Sequence, residues 1–412
     1  MKIKLPTIIL LCISLFFACQ KKTDKTEKNT VGEQSLTFAK NSLAGKIISK
    51  PEEIFIDLKK GNWQLLDEFI DSVSFIKLET RTDNLIGEIS QIIFADSLIF
   101  IVDNEIAKSI FVFDMKGHYK YKIGNIGNGP GEYVSIKNIT IVPDKNQIAV
   151  FDGPKNSIHY FNFNGSFLYS ERTSFYVNYL EYLPSGFKAS DVTSMSFGNA
   201  ALEEYRNNTL IVTDTNNIIM YGACHDFYKE GKFNQVMLHS LYNFGNTVYY
   251  SPNFSNMIYQ VGDSYLTAKY HINIKGGMPP ITDDITSDIF DEYSRRYAFF
   301  NGEMVEMKDF TYISLFTPQG NPFVIYSHTK KRVYYCRFES MNPAFIFITF
   351  PSLKTRYQEN TIIASVSAHL VFANKNNLYN NGRARWILDD LYNGLNEDDN
   401  PVLFFYHIKN GL

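Results

Sequence analysis

The sequence predicts an all-β fold, a six-bladed β-propeller of four-stranded antiparallel blades with short helical inserts. Two observations predict it. Short apolar runs separated by turn residues begin near Asp71 and continue almost to the end of the chain. The pattern of one four-strand meander also returns after 48 residues. A meander that repeats every 40–50 residues or so is typical of a propeller blade.

Residues 1–18 have the pattern of a secretion signal. Lys2 and Lys4 precede an apolar run over 5–18. At about 1.5 Å per residue this run spans about 21 Å, less than the roughly 30 Å hydrocarbon core of a bilayer. Ala18 directly before Cys19 resembles a lipobox, although Phe16 and Phe17 are larger than usual there. We expect lipidation of Cys19; the alternatives are an ordinary signal cleaved nearby and a retained anchor.

Because Cys19 is expected to carry a lipid, the membrane is the first expected partner. Residues 19–64 are interpreted as a polar tether and lead-in, and residues 65–412 as the propeller. The stretch 20–30 is charged, lacks aromatic residues and cannot bury enough apolar surface to offset its ordering entropy. No acidic residue follows Cys19, which favours the outer membrane, with the propeller facing the periplasm or the cell exterior.

Composition narrows the function classes. The net charge of −3 and the pI of about 6.3 argue against nucleic-acid binding. The 27 Tyr and 34 Phe suit pleated sheets. Cys12 leaves with the signal, so only Cys224 and Cys336 remain in the folded part, where two buried thiols are favoured over a disulfide. Cysteine and histidine spacing indicates no zinc site.

The first full meander is followed by a clear second copy and four weaker ones. Strands are expected at 89–94, 98–102, 110–113 and 119–123. The repeated anchors lie at 109–113, 157–161, 217–221, 256–261, 331–336 and 376–379. Six anchors predict six blades, with seven as the main alternative. Residues 73–78 precede the first full meander, so we expect them to complete the last blade and to close the ring.

Two segments break the β pattern. Apolar residues at helical spacing predict a helix over 281–300, with Asp283 and Asp284 near its start. A second helix is expected over 384–391, with Gly394 as its stop. Both are interpreted as inserts on one face of the ring.

Several stretches together resemble the six-bladed β-propeller lipoproteins common in Bacteroidetes. They are IKLET (76–80), LIGEI (85–89), FVFD (111–114), IGNIGNGPGEY (123–133), NPVL (400–403) and YHIK (406–409). The resemblance covers about residues 65–410 and is looser over 176–350. The glycine-rich stretch also resembles the turn of NHL-repeat propellers. The resemblance implies an envelope lipoprotein and carries over no catalytic residues, because that family largely lacks an assigned activity.

Two motifs are candidate binding sites. The run Gly127, Gly129, Pro130, Gly131 and Glu132 lacks the Lys-Ser/Thr of a phosphate-binding P-loop, so a structural turn is favoured over a ligand contact.

Asp103 and Asp152 occupy equivalent repeat positions. Carboxylates at equivalent strand ends are candidates for holding Ca²⁺ near the axis, but a loop-capping role is the commoner use of such residues.

No histidine pair, nucleophile elbow or carboxylate pair has a catalytic spacing. The sequence therefore favours a non-catalytic binding or scaffold module for a glycan or protein partner, without a required cofactor. The alternative is a propeller hydrolase or lyase acting on an extracellular sugar or lactone, with Ca²⁺ as its candidate cofactor. Catalytic groups of a propeller come from separate blades, so a missing local motif leaves this alternative open.

Overall fold

The computed structural model describes residues 46–65, 68–192, 204–205, 208–225, 240–279, 286–337, 357, 360–376 and 385–411. Its main sheets are six antiparallel blades arranged as one β-propeller. The predicted fold class and the count of six blades are confirmed, and the alternative count of seven is wrong. The predicted signal (1–18), Cys19 and the tether up to residue 45 lie outside the described residues.

Four strands precede the first complete blade. They are β1 (Lys46–Ile48), β2 (Glu52–Ile56), β3 (Trp63–Leu65) and β4 (Ile70–Lys77).

Blades 1 to 3 are simple meanders whose strands run in order from the innermost to the outermost. Blade 1 contains β5 (Gln91–Ala95), β6 (Leu98–Asp103), β7 (Ser109–Asp114) and β8 (Tyr119–Ile123). A parallel pair, β9 (Asn125–Ile126) and β10 (Glu132–Tyr133), leads to blade 2, formed by β11 (Ile136–Val142), β12 (Gln147–Asp152), β13 (Ser157–Asn162) and β14 (Phe167–Arg172). Blade 3 contains β15 (Tyr179–Tyr182), β16 (Lys188–Asp191), β17 (Asn208–Thr213) and β18 (Ile219–His225).

Blades 4 to 6 carry the additions to this plan. Blade 4 contains β19 (Leu241–Asn243), β20 (Val248–Tyr250), β21 (Met257–Val261) and β22 (Tyr265–Ile274). Helix α1 (Ser287–Ser294) precedes blade 5, formed by β23 (Phe299–Glu306), β24 (Phe310–Phe316), β25 (Phe323–Ser327) and β26 (Arg332–Arg337). The described strands of blade 6 are β27 (Thr361–Val366), β28 (Val402–Ile408) and β4, with α2 (Ala368–Ala373) and α3 (Arg385–Tyr392) inserted between β27 and β28.

Strand β4 closes the ring. It pairs antiparallel with β28, from Val402 opposite Lys77 to Ile408 opposite Ile70. This confirms that the segment predicted at 73–78 completes the last blade. A buried apolar cluster then joins blade 6 to blade 1 through Leu403 and Phe405, which pack with Ile92 and other residues of blade 1. Similar clusters lie between the other successive blades, so the core is a ring of inter-blade interfaces.

Residues 46–65, which we call the N-terminal strap, extend two blades outward. Strands β1 and β2 add parallel to β22, and β3 adds parallel to β26. The Asp57 amide donates to the Tyr335 hydroxyl at 2.8 Å, and Glu53 pairs with His271 at 2.9 Å. The part of the lead-in from residue 46 onward is therefore joined to the propeller sheets.

The two ends of the propeller carry different connections, because successive strands of a meander run in opposite directions. Turns between first and second strands, such as Asp96-Ser97 in blade 1, lie at one end, which we call the turn end. In the part of the chain that the structure describes, the links between blades, the second-to-third connections and helices α1, α2 and α3 lie at the opposite end, which we call the loop end. This bears out the expectation that both helical inserts lie on one face.

Some predicted elements are placed differently by the structure. The first helix starts after its N-cap Thr286 and ends at Ser294, while Asp283 and Asp284 lie outside the described residues. Residues 299 and 300 begin β23 instead, because Phe300 is needed in the apolar core and tertiary packing overrides helical spacing. The second predicted helix is confirmed at Arg385–Tyr392.

Two of the weaker repeat anchors fall on the wrong element, and residues 377–379 of the last anchor lie outside the described residues. Residues 217–221 and 331–336 lie at β18 and β26, the fourth strands of blades 3 and 5. These fourth strands carry apolar runs similar to those of third strands. Each misassigned anchor still lies in a separate blade, so the predicted number of blades is unaffected. Cys224 and Cys336 are free thiols, as favoured, but only Cys336 is buried and Cys224 is partly exposed. Desolvation raises the pKa of the Cys224 thiol to about 12.

Candidate functional site

Exposed apolar side chains gather at the loop end of the propeller. Among the described residues, six of the eleven exposed large apolar side chains come from loop-end segments of blades 6, 1, 2 and 3. We call them the apolar loop-end surface: Leu85, Ile106, Ile126, Val134, Tyr176 and Leu370. Five of the six are aliphatic. A rigid support for these loops lowers the conformational entropy that is lost when a partner binds there.

Asp103 provides part of that support. It is fully buried at the end of β6. Its Oδ2 accepts hydrogen bonds from the Gly87 amide at 2.7 Å and the Glu88 amide at 3.1 Å, and its Oδ1 accepts from the Ile106 amide at 2.8 Å. One carboxylate thus ties the link from blade 6 to the connection that presents Ile106.

Asp152 has the same role one blade later. Its Oδ2 accepts from the Val134 amide at 2.7 Å and its Oδ1 from the Ser135 amide at 3.3 Å. His159 Nε2 lies 3.6 Å from Oδ2, beyond hydrogen-bond length. Burial alone would raise the pKa of Asp152, but the His159 side chain and the backbone amides outweigh it and hold the pKa below its usual range. The carboxylate is therefore an anionic cap for the loop that presents Val134.

The glycine-rich run forms a self-bonded turn. Glu132 Oε2 accepts from the Gly129 amide at 2.7 Å, and a Cβ on Gly127 would lie 2.0 Å from the same oxygen. Gly131 has φ +74°, a conformation that favours glycine. Lys155 Nζ bonds the Gly127 carbonyl at 2.9 Å and ties the turn to blade 2. Pro130 lies at the tip of the turn between β9 and β10.

In the described part of the chain, no group of three or more His, Cys, Asp or Glu side chains is placed to hold an ion. The oxygens of Asp103 and Asp152 that were considered for Ca²⁺ point at backbone amides instead. The structure brings each aspartate to its own loop and does not bring the two together.

Side-chain amides link the innermost strands. Gln91 of blade 1 both donates to the Ile139 carbonyl at 2.8 Å and accepts from the Ile139 amide at 2.9 Å. Asn138 of blade 2 makes the same pair of bonds to Leu180 of blade 3, at 2.7 and 3.3 Å. Each amide replaces a strand-to-strand pairing that the gap between blades prevents. The spacing of 47 residues between Gln91 and Asn138 was a signal in the sequence that the repeat comparison missed.

One buried carboxyl lies among these strands. Glu181 of β15 is 8% exposed, and its Oε2 accepts from Thr140 Oγ1 at 2.6 Å and from Asn243 Nδ2 at 3.4 Å. Burial raises the pKa of Glu181 to about 7, although both hydrogen bonds act to lower it. No local sequence motif identifies this residue, because its two hydrogen-bond partners come from two other blades.

A second polar cluster lies near the turn end of blades 4 and 5. Glu306 accepts from Tyr270 at 2.9 Å and from Thr311 at 2.6 Å, and His328 Nε2 lies 2.8 Å from Thr311 Oγ1. His328 Nδ1 lies 3.1 Å from the Lys308 carbonyl. The polar atoms of this cluster bond one another, so its contacts serve to join the two blades.

A known protein family matches most of this chain. Residues 53–407 match the model of a family described as a domain of unknown function, DUF4934. The chain belongs to the DUF4934 family. No curated protein matches the sequence. None of the described helices has the length and apolar character needed to cross a membrane.

Three solved structures are similar to this DUF4934 chain to different degrees. A Bacteroides fragilis protein described as exported shares 20% identity, with a TM-score of 0.70 over 87% of this chain and 100% of that one. A DUF4221 protein of Bacteroides vulgatus shares 10% identity, with a TM-score of 0.48 over 82% and 97%. Virginiamycin B lyase of Staphylococcus aureus shares 11%, with a TM-score of 0.34 over 64% and 72%. The first likeness supports the fold, and the other two are too distant to add to it.

Proposed function

We propose that this DUF4934 chain is an envelope-tethered, non-catalytic docking module that binds a partner protein through the apolar loop-end surface. The observation that carries the proposal is the placement of Ile106 and Val134. Both are exposed, and both have their backbone amides held by a buried aspartate. A surface whose loops are ordered before binding loses less conformational entropy when a partner docks.

The chemistry of the surface favours a protein as the occupant. Its exposed side chains are aliphatic apart from Tyr176. Aliphatic groups gain free energy by leaving water against another apolar surface, and a partner protein can offer such a surface.

The N-terminal residues indicate where in the cell the propeller is held. We infer that Cys19 carries a lipid and holds the propeller at the outer membrane, facing the periplasm or the cell exterior. The lipobox-like Ala18-Cys19 and the polar stretch that follows support this. A Cys19→Ala variant is expected to leave the membrane fraction, and mass spectrometry of the wild type should find an acylated Cys19 peptide. Equal membrane partitioning of the variant would contradict the lipid anchor.

Docking is tested separately with charge substitutions. An Ile106→Asp, Ile126→Asp double variant is compared with Phe55→Asp, in which an equally exposed apolar residue of the strap is changed. Detergent extracts of the native host are resolved by native electrophoresis. We expect a complex for the wild type and for Phe55→Asp, and the free chain for the double variant.

Two results would count against the proposed docking. The first is a complex that survives the double substitution. The second is a complex that contains only this chain by mass spectrometry, which would mean self-association.

A further inference from the structure

An aromatic pair lies at the rim between blades 2 and 3, away from the apolar loop-end surface. Tyr169 on the outermost strand β14 stacks on Tyr160 of β13, with ring centroids 4.4 Å apart and planes at 22°. Tyr160 is buried, whereas Tyr169 is 45% exposed. The ring of Tyr169 is therefore backed by a second ring and presents a supported flat surface at the rim.

A fixed carboxylate lies beside this ring. Glu171 is two residues beyond Tyr169 on β14, so the two side chains share one face of the strand. Its Oε1 accepts from Tyr160 Oη at 2.7 Å and from Lys188 Nζ at 2.7 Å. The Tyr160 and Tyr182 hydroxyls are 2.5 Å apart, which extends the network into blade 3. Both bonds to Glu171 use Oε1, and the side chain remains 24% exposed.

The ammonium of Lys188 completes the cluster. Lys188 is 5% exposed, and besides Glu171 it donates to Asn217 Oδ1 in the turn between β17 and β18. With Oδ1 accepting, the amide nitrogen of Asn217 is the donor that this residue offers. The charges of Lys188 and Glu171 balance, so this ion pair adds no net charge that would select an ionic ligand.

We propose that the rim site formed by Tyr169, Glu171 and Asn217 binds an uncharged sugar unit of a glycan. The Tyr169 ring offers an apolar face to the C–H side of a pyranose, while Glu171 Oε2 accepts from one hydroxyl and Asn217 Nδ2 donates to another. An apolar peptide side chain in this place would cover the carboxylate without bonding it, which carries a desolvation cost. The polar groups thus favour a hydroxylated ligand.

This site goes beyond the proposed docking function and stands on other residues. A lack of glycan binding would not count against docking at the apolar loop-end surface. A loss of docking in an Ile106→Asp variant would not count against glycan binding at the rim site.

The test is isothermal titration of the mature chain with maltohexaose, cellohexaose, laminarihexaose and mannohexaose. We expect saturable binding of at least one of these probes. Tyr169→Ala should weaken it at least tenfold, and Tyr265→Ala should leave it unchanged, because Tyr265 is also 45% exposed but lies in blade 4. Tyr169→Leu keeps apolar cover over Tyr160 without a planar ring, and it should lose binding at an unchanged melting temperature. The proposal is overturned if no probe binds or if Tyr169→Leu binds as the wild type does.

Discussion

Thr140 Oγ1 donates a hydrogen bond to Glu181 Oε2 over 2.6 Å, and this bond joins the innermost strands of blades 2 and 3. Asn243 approaches the same oxygen from blade 4. Three blades therefore meet at one buried carboxyl, whose pKa burial raises to about 7. The protonation state of this group is coupled to the stability of the ring.

The first prediction concerns pH. The folded protein holds the Glu181 proton up to about pH 7, whereas the unfolded chain releases it near the ordinary value of 4.5. The contribution of this group to the free energy of unfolding therefore falls as pH rises from 4.5 to 7. At about 1.4 kcal/mol per tenfold change in proton affinity, the fall approaches about 3 kcal/mol.

Glu181→Gln is neutral at every pH and should remove this part of the pH dependence. Urea unfolding at pH 5 and pH 8 measures it for the variant, the wild type and a Glu88→Gln control on the exposed surface. An equal pH dependence in Glu181→Gln and the wild type would show that the carboxyl ionises in the folded state without cost.

The second prediction concerns the turn between β7 and β8. Gly117 has φ +84°, and a Cβ there would lie 2.1 Å from the Lys77 carbonyl of blade 6. Gly117→Ala should therefore lower the free energy of unfolding by about 3 kcal/mol or more, through backbone strain and displacement of β4. Gly276→Ala is the matched control, since its φ is +66° with nothing within 4 Å. It should cost only about 1 kcal/mol in the same denaturation experiment, and equal losses would refute the close approach.

The third prediction separates a capping role of Asp103 from metal binding. Asp103→Asn turns an amide group toward a backbone N–H donor, so at least one of the three bonds to Gly87, Glu88 and Ile106 is lost. We expect a loss of about 1–3 kcal/mol, with the same melting-temperature difference from the wild type in Ca²⁺ and in EDTA. Asp83→Asn, at an exposed residue, should change stability by less than about 0.5 kcal/mol. A Ca²⁺-dependent difference would restore the metal interpretation.

Local patterns were enough to predict blades 1 and 2, because each of them is a contiguous meander. Strand β8 was predicted with its observed bounds, Tyr119–Ile123. The strap was missed for a physical reason. Strands β1 and β3 are three residues long, and they pair in parallel with β22 and β26, more than 200 residues away. No hairpin turn marks such a pairing in the sequence.

The residues of the candidate site were likewise predicted only in part. The repeat drew attention to Asp103 and Asp152, and the structure shows the equivalent caps that a repeat should have. Glu181 and Lys188 were not singled out, because their environment exists only once separate blades meet. Burial and cross-blade hydrogen bonds, which make these residues unusual, have no signature within one strand.

The central claim is that a partner protein docks on the apolar loop-end surface. Its most direct test is a photo-crosslinking amino acid placed at Ile106 or at Phe55 in the native host, since both positions are 66% exposed but only Ile106 lies at the loop end. We expect a discrete adduct with another protein from position 106 and none from position 55. Equal crosslinking from both positions, or adducts from position 55 alone, would contradict it.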